Sequence, residues 1–252
     1  MKSFLIFKKE LKAYFSSPLF YVLAFVLSLF LSARFLPSVY KFAEAASLPE
    51  SLGSTTNIHL NVFMVHLNLV YLLMLFLTPL LTMKLFSEEK KERTIDLLLT
   101  APVTSTEIVI GKFMAVWAVV TLLLLLALLY PLSLGLITTF DYAPLWSSYI
   151  GMFLMLGVNC SIGVFASSLT ASSLIAAFLG ILMILAVMLM GSLTGSIVHP
   201  FWSALVEQLS MVMHIRDFFD GTLESSGFVF FITTLCLFCF LTQRVVESSR
   251  WR

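Results

Sequence analysis

Charged side chains are scarce in this sequence: Asp, Glu, Lys and Arg make up 12% of its 252 residues, while 60% are hydrophobic. A water-soluble domain carries about 25% charge and roughly 45–50% apolar residues, so this composition excludes one. Cysteine is scarce too. Cys160, Cys236 and Cys239 all fall in apolar runs, which offers no disulfide framework. The CxxC spacing of the last two has no neighbouring charge to favour a thiolate, and both read as small buried hydrophobes. Catalytic signatures are missing as well: there is no HExxH, no GxSxG and no tight Cys/His cluster. Gly111-Lys112 is the nearest approach to a phosphate-cradling loop. That loop needs a glycine five positions before Gly111, where Thr106 stands, and Ser or Thr after the lysine, where Phe113 stands. The chain is therefore expected to bind no ATP by that route and to be no enzyme itself. A net charge of +1 gives no electrostatic footing for nucleic acid.

What is present is long apolar runs, at 19–40, 61–83, 113–138, 147–169, 174–190 and 228–243. At about 20 apolar residues per crossing, these predict six transmembrane helices, the last two on the short side. A β-barrel would alternate polarity along strands of about 9–11 residues, which stretches such as 122–129 do not. The expected fold is an all-α polytopic membrane protein forming a single domain over residues 1–252. Six spans put both termini on one side. With the termini in the cytoplasm, twelve of the fifteen Lys and Arg residues are cytoplasmic, leaving Arg34, Lys41 and Arg216 toward the far side, while acidic residues divide evenly. The first run is too long for a signal-peptide h-region and ends without a small-x-small cleavage site, so it reads as a span.

The segments between spans carry their own patterns. Phe4, Phe7, Leu11, Tyr14 and Phe15 form a helical stripe among Lys8, Lys9, Glu10 and Lys12, which predicts an interfacial helix with lysines at anionic headgroups. Pro18 then lets the chain turn into the bilayer. The largest cytoplasmic loop, 84–112, holds much of the charge. Ser87 followed by Glu88, Glu89 and Lys90 predicts a helix start, a short apolar element ends near Pro102, and Thr104 or Ser105 with Glu107 predicts a second start. A charged helix with an apolar end on this face suits a protein partner. On the outer side, 191–227 reads as one or two short interfacial helices. Met211, Met213, His214, Asp217 and Asp220 lie there, but their spacing fits an interfacial helix better than a soft-metal site, and no metal is expected.

Within the spans, His66, Asn68 and Asn159 are the polar candidates for a pathway, because such groups tend to face a bundle interior; interhelical hydrogen bonding is the plainer reading. Gly157 with Ser161, Gly163 with Ser167 and Gly191 with Gly195 allow close helix approach.

Three stretches carry a family resemblance: 8–18 (Lys8-Lys9-Glu10-Leu11, then Tyr14-Phe15-Ser16-Ser17-Pro18); 88–112, with Glu88-Glu89-Lys90, Thr94 to Val103, Ile108 and Gly111-Lys112; and, more weakly, His214, Phe218, Gly221 and Arg250-Trp251. Together they resemble an ABC-2-type transporter permease, and within that class the gliding-motility-associated branch. Arg93 stands where that family usually has a glycine. The resemblance implies a bacterial inner-membrane subunit that works with a cytoplasmic ABC ATPase subunit and with a second permease copy or related permease. ATP would bind the partner, so the chain itself needs no cofactor. The loop would hold a coupling helix, with Glu88, Glu89, Thr94, Asp96, Leu98 and Pro102 as the coupling residues. Transport, more in keeping with export, is the leading expectation; a structural component of a motility or surface machine, or a stand-alone channel, are the alternatives.

Overall fold

The computed structural model describes residues 2–47, 57–94, 103–190, 208 and 210–249. Among these the chain is helical, with no strand. Hydrocarbon offers a backbone amide no partner, so each crossing segment must satisfy its own hydrogen bonds. Helix α1 is Lys2–Ser16 and α2 is Pro18–Ala46; a π-helical turn, His59–Phe63, leads into α3, Met64–Thr82. Then come α4 (Lys84–Lys91), α5 (Ser105–Leu134), α6 (Ala143–Leu169), α7 (Ser173–Leu189), α8 (Met211–Phe219) and α9 (Ser225–Ser248). Among the described residues, five helical stretches are long and apolar enough to cross a membrane: α2, the run through α3 and α4, α5, α6 and α9. Helix α7 is apolar but, at 17 residues, falls short of that length, so the expected sixth crossing is not among them.

Local chemistry sets the boundaries. Ser17 is extended and its hydroxyl accepts from the Leu19 amide at 3.3 Å, while Pro18 occupies the first turn, where its missing amide costs nothing. Thr104 opens α5 with a capping box: its hydroxyl accepts from the Glu107 amide at 3.2 Å, and the Glu107 carboxylate accepts from the Thr104 amide at 3.0 Å. The expected helix start at Ser87 is not found. Helix α4 follows α3 after the single residue Met83, whose amide still reaches Pro79 O at 2.9 Å, and Ser87 lies buried inside α4. The helical hydrogen bonding of the span carries on past the acids, so no new cap is needed.

Helix α6 is the hub. It packs against α3, α4, α5, α7, α8 and α9, and most of its length is buried. Helix α2 instead buries one stripe, Phe20, Leu23, Leu27, Leu31 and Phe35, and leaves Tyr21, Phe25 and Leu29 exposed, as a lipid-facing span does. Helix α9 is more exposed still, and Cys236 on it is exposed rather than buried.

The two ends of the bundle differ. One, rich in lysine, gathers α1, α4, the start of α5 and the α6–α7 turn. At the other, His59 Nε2 lies 2.8 Å from Phe219 O, and Phe63 meets Phe140 edge-on at 4.8 Å. There α8, one of the expected short helices, buries Met211, Ile215, Phe218 and Phe219. His214 stacks on Phe230 at 4.3 Å with Nδ1 2.8 Å from Ser210 O, a packing role. The remainder of the outer segment, 191–207, lies outside the described residues, as does the Gly191–Gly195 pair.

With no water to drive helices together, their association depends on close packing. The small residues of α6 act within one chain. A Cβ on Gly163 would sit 2.9 Å from Thr82 Cβ, and Thr82 is fully buried with its hydroxyl bonded to Pro79 O. On α7, a Cβ on Gly180 would meet nothing closer than Pro79 Cβ at 3.4 Å. Gly163→Ala should therefore destabilise the purified protein by about 1–3 kcal/mol, while Gly180→Ala should not lower its stability. Thermal unfolding in detergent compares them, and equal midpoints would contradict this packing.

Candidate coupling site

Lys112, in the second turn of α5, is 1% exposed. Its ammonium donates to Glu10 Oε1 at 2.9 Å, Glu89 Oε1 at 2.8 Å and Leu85 O at 2.8 Å, and Phe86 presents its ring 5.2 Å away. All three N–H donors are used. The carboxylates come from different elements, Glu10 from α1 and Glu89 from α4, so one cation ties three helices together. Gly111 makes this possible. A Cβ there would lie 2.8 Å from Ser3 O and 2.9 Å from Ile6 Cβ, so only glycine lets α1 approach α5 this closely. Helix α1 is thus more than an interfacial anchor: one face packs on α5, and the Tyr14 hydroxyl donates to Leu81 O of α3 at 2.8 Å.

The α3–α4 junction is bound just as specifically to α6. The Ser167 hydroxyl accepts from the amides of Phe86 (2.9 Å) and Ser87 (3.2 Å) and lies 3.1 Å from Met83 O, to which it donates. Ser87 Oγ donates to Met83 O and lies 3.0 Å from Ser173 Oγ at the start of α7. Lys90 donates to Ser168 O. Helix α4 is therefore anchored to the end of α6 and the beginning of α7.

Helix α4 ends in a Schellman motif. The Thr94 amide donates to Glu89 O at 3.0 Å and the Arg93 amide to Lys90 O at 3.3 Å, with Arg93 at φ +56°. This is the position where the resembled family carries glycine, and the left-handed backbone explains why. Arg93 adopts the same geometry at the steric cost of its Cβ.

The coupling candidates separate accordingly. Glu89 is in the buried cluster. Glu88 is about half exposed and pairs with Lys84 at 3.6 Å. Thr94 closes the helix end, its hydroxyl 3.4 Å from Glu89 O. Asp96, Leu98 and Pro102 lie outside the described residues. Among the pathway candidates, His66 is buried between Phe35 and Tyr130, with Nε2 3.0 Å from Ala127 O. Because a carbonyl only accepts, Nε2 carries the proton. Asn159 is 1% exposed with Oδ1 unpartnered. Asn68 is exposed on the other face of α3, its amide donating to Met64 O of its own helix at 2.7 Å. The three are thus not gathered on one surface.

Sequence reasoning missed the roles of Glu10, Lys112 and Ser167. The available signal was a lysine at the head of a long apolar run and a glutamate on the stripe side of α1.

The model of the ABC-2 family transporter protein matches residues 4–250. The chain belongs to this family. No curated protein matches it. Members are transmembrane components, so the chain is a permease subunit of an ABC transporter, a multi-pass membrane protein and not itself the ATPase. Family membership implies association with an ABC ATPase subunit. In this permease, Glu10, Glu89 and Lys112, drawn from the two stronger stretches of resemblance, converge on one ion cluster.

Replacing Lys112 by Met leaves two carboxylates facing each other in a buried site and should cost about 3–5 kcal/mol. Adding Glu10→Gln and Glu89→Gln should recover much of that loss. Thermal midpoints of the single and triple variants test this, and an unchanged midpoint for Lys112→Met would refute the cluster. Arg93→Gly should raise stability, by about 1 kcal/mol less the chain entropy of glycine; a lower midpoint would mean the left-handed turn is not formed.

Proposed function

We propose that this permease exports a substrate across the bacterial inner membrane, driven by ATP hydrolysis on a separate ATPase that docks against residues 84–112. Its lysine-rich end, with both termini, faces the cytoplasm. The observation that carries this reading is the cluster at Lys112. It joins the base of the loop to α1 and α5, so force on the loop reaches the spans without passing through a slack linker. Glu88, Thr94, Asp96, Leu98 and Pro102 are the docking residues in this reading, with Glu89 linking the loop to the cluster. The transport unit contains a second permease, the same or related, and ATP is held by the ATPase. The three stretches of resemblance favour the gliding-motility-associated branch. Nucleotide-driven closure of the ATPase biases a two-state bundle, and taking that bundle from 1:99 to 99:1 needs about 5.5 kcal/mol of differential coupling.

Combined Asp96→Ala and Leu98→Ala should weaken co-purification of the ATPase without lowering the amount of permease in the membrane. Normal co-purification of the double variant would remove the loop from the coupling role.

A further inference from the structure

Along α5 runs an open groove of about 380 Å³, bounded by Phe153 of α6 and closed at its lysine-rich end by Phe7 of α1. Its wall reaches from Met114 to Leu125, eleven residues and about 16 Å of helix. That is half of the ~30 Å hydrocarbon core, the depth of a single leaflet. The floor is preformed. Trp117 stacks on Phe153 at 4.6 Å and is seated on Gly157, where a Cβ would lie 3.1 Å from the indole. The polar side-chain atoms of the wall are used within the protein: Trp117 Nε1 donates to Phe153 O at 3.2 Å, and the Thr121 hydroxyl to Trp117 O at 2.7 Å. The groove therefore presents hydrocarbon and no unmet hydrogen bond.

Beside its closed end the charge is of one sign. Lys8, Lys9 and Lys12 are exposed on α1, and no carboxylate among the described residues pairs with them. Glu10, the one acid of α1, is held by Lys112, and Glu107, the one acid of α5, lies beside Lys2. Lys112 meets two carboxylates and compensates one, so three exposed lysines less that one charge leave an excess of two positive charges. Lys8 and Lys12, four residues apart, share a face of α1 and border the apolar stripe of Phe4, Leu11 and Phe15, a position from which an ammonium snorkels to a headgroup.

Two occupants suit an apolar groove in a membrane: a helix of a neighbouring chain and an acyl chain. A spanning helix laid along α5 would run on past Met114 into α1, whereas an acyl chain ends at that level, in its headgroup. We propose that the groove holds an acyl chain of an anionic phospholipid from the leaflet on the lysine-rich side. The phosphate lies at Lys8 and Lys12, and the chain runs along Trp117 and Ala118 toward Leu125. Lysines at the membrane surface favour an anionic headgroup, and the extra ammonium of a zwitterionic one works against them. Bound there, the lipid bridges α1 and α5 beside the crossing at Gly111. The site depends neither on the substrate moved nor on the loop that docks the ATPase.

The test is lipid retention by the purified full-length chain in mild detergent. It is offered equal amounts of glycerol, ethanolamine and choline phospholipids with identical acyl chains and read by native mass spectrometry. The anionic glycerol lipid should be retained about tenfold over the other two, since each lysine near such a headgroup contributes about fivefold before screening. Raising the ammonium acetate concentration should shrink that preference. Lys8→Gln with Lys12→Gln, both at exposed positions, should abolish it. Ala118→Phe, which fills the groove, should lower retention of all three lipids several-fold with the fold intact by circular dichroism, while Val229→Phe on the exposed face of α9 should leave retention unchanged. Equal retention by the unaltered chain, an anionic preference that survives the double lysine variant, or a folded Ala118→Phe variant that keeps its lipid would each overturn the site. Release of a second copy of the chain by Ala118→Phe, in place of lipid, would overturn it as well. None of these results bears on ATPase docking, which the Asp96 and Leu98 variants address separately.

Discussion

A lysine ammonium shut away from water governs the lysine-rich end of this protein. Lys112 cannot be buried alone, since the desolvation of a charge in a low-dielectric setting amounts to several kcal/mol. Its burial therefore requires Glu10 on α1 and Glu89 on α4 to be in place together. The rest of that end follows from this requirement. Gly111 must be small so that α1 can lie against α5; Leu85 must turn its carbonyl to the ammonium; and α4 must continue straight from α3 so that Glu89 arrives at the right height. An ion cluster of this kind adds specificity more than stability, because it is favourable only in one arrangement of the three helices.

The second constraint is the serine pair at the end of α6. Ser167 offers one hydroxyl to two amides and a carbonyl at the α3–α4 junction, and Ser168 offers its carbonyl to Lys90. Helix α6 is also the hub against which most other helices pack. Displacement of α4 consequently acts on the centre of the bundle through hydrogen bonds with defined geometry. In the function proposed above, this is the connection through which a partner acting on α4 would bias the bundle.

In the membrane-spanning part, packing replaces hydrophobic drive. Close contact between Gly163 and Thr82 and the stacking of Trp117 on Phe153 at 4.6 Å are the kind of interaction available where lipid is as apolar as the side chains. Polar groups there mostly find partners within the helices. His66 donates to a carbonyl across to α5, and Asn68, facing outward, satisfies itself on its own helix. Residue type marked both positions for attention. Which side of α3 each would take depended on how α3 rotates against its neighbours.

The sequence by itself determined the approximate limits of the apolar runs, the turn at Pro18, a helix start at Thr104 or Ser105, and the segregation of lysine to one end. These are local consequences of hydropathy, capping chemistry and charge, and each acts over a few residues. It also pointed to the 84–112 loop as the place where a partner would act. The interior position of Ser87 was not legible, because a Ser-Glu-Glu start and a continuing helix look alike until the hydrogen bonds from Pro79 onward are seen. Nor was the meaning of Arg93, whose left-handed backbone becomes evident only when the end of α4 is closed. Tertiary structure alone decided that Glu10, Glu89 and Lys112 share one site, since 102 and 23 residues separate Lys112 from its two carboxylates. No local rule reaches that far; only the packing of α1 and α4 against α5, with a glycine at the crossing, brings the three charges together.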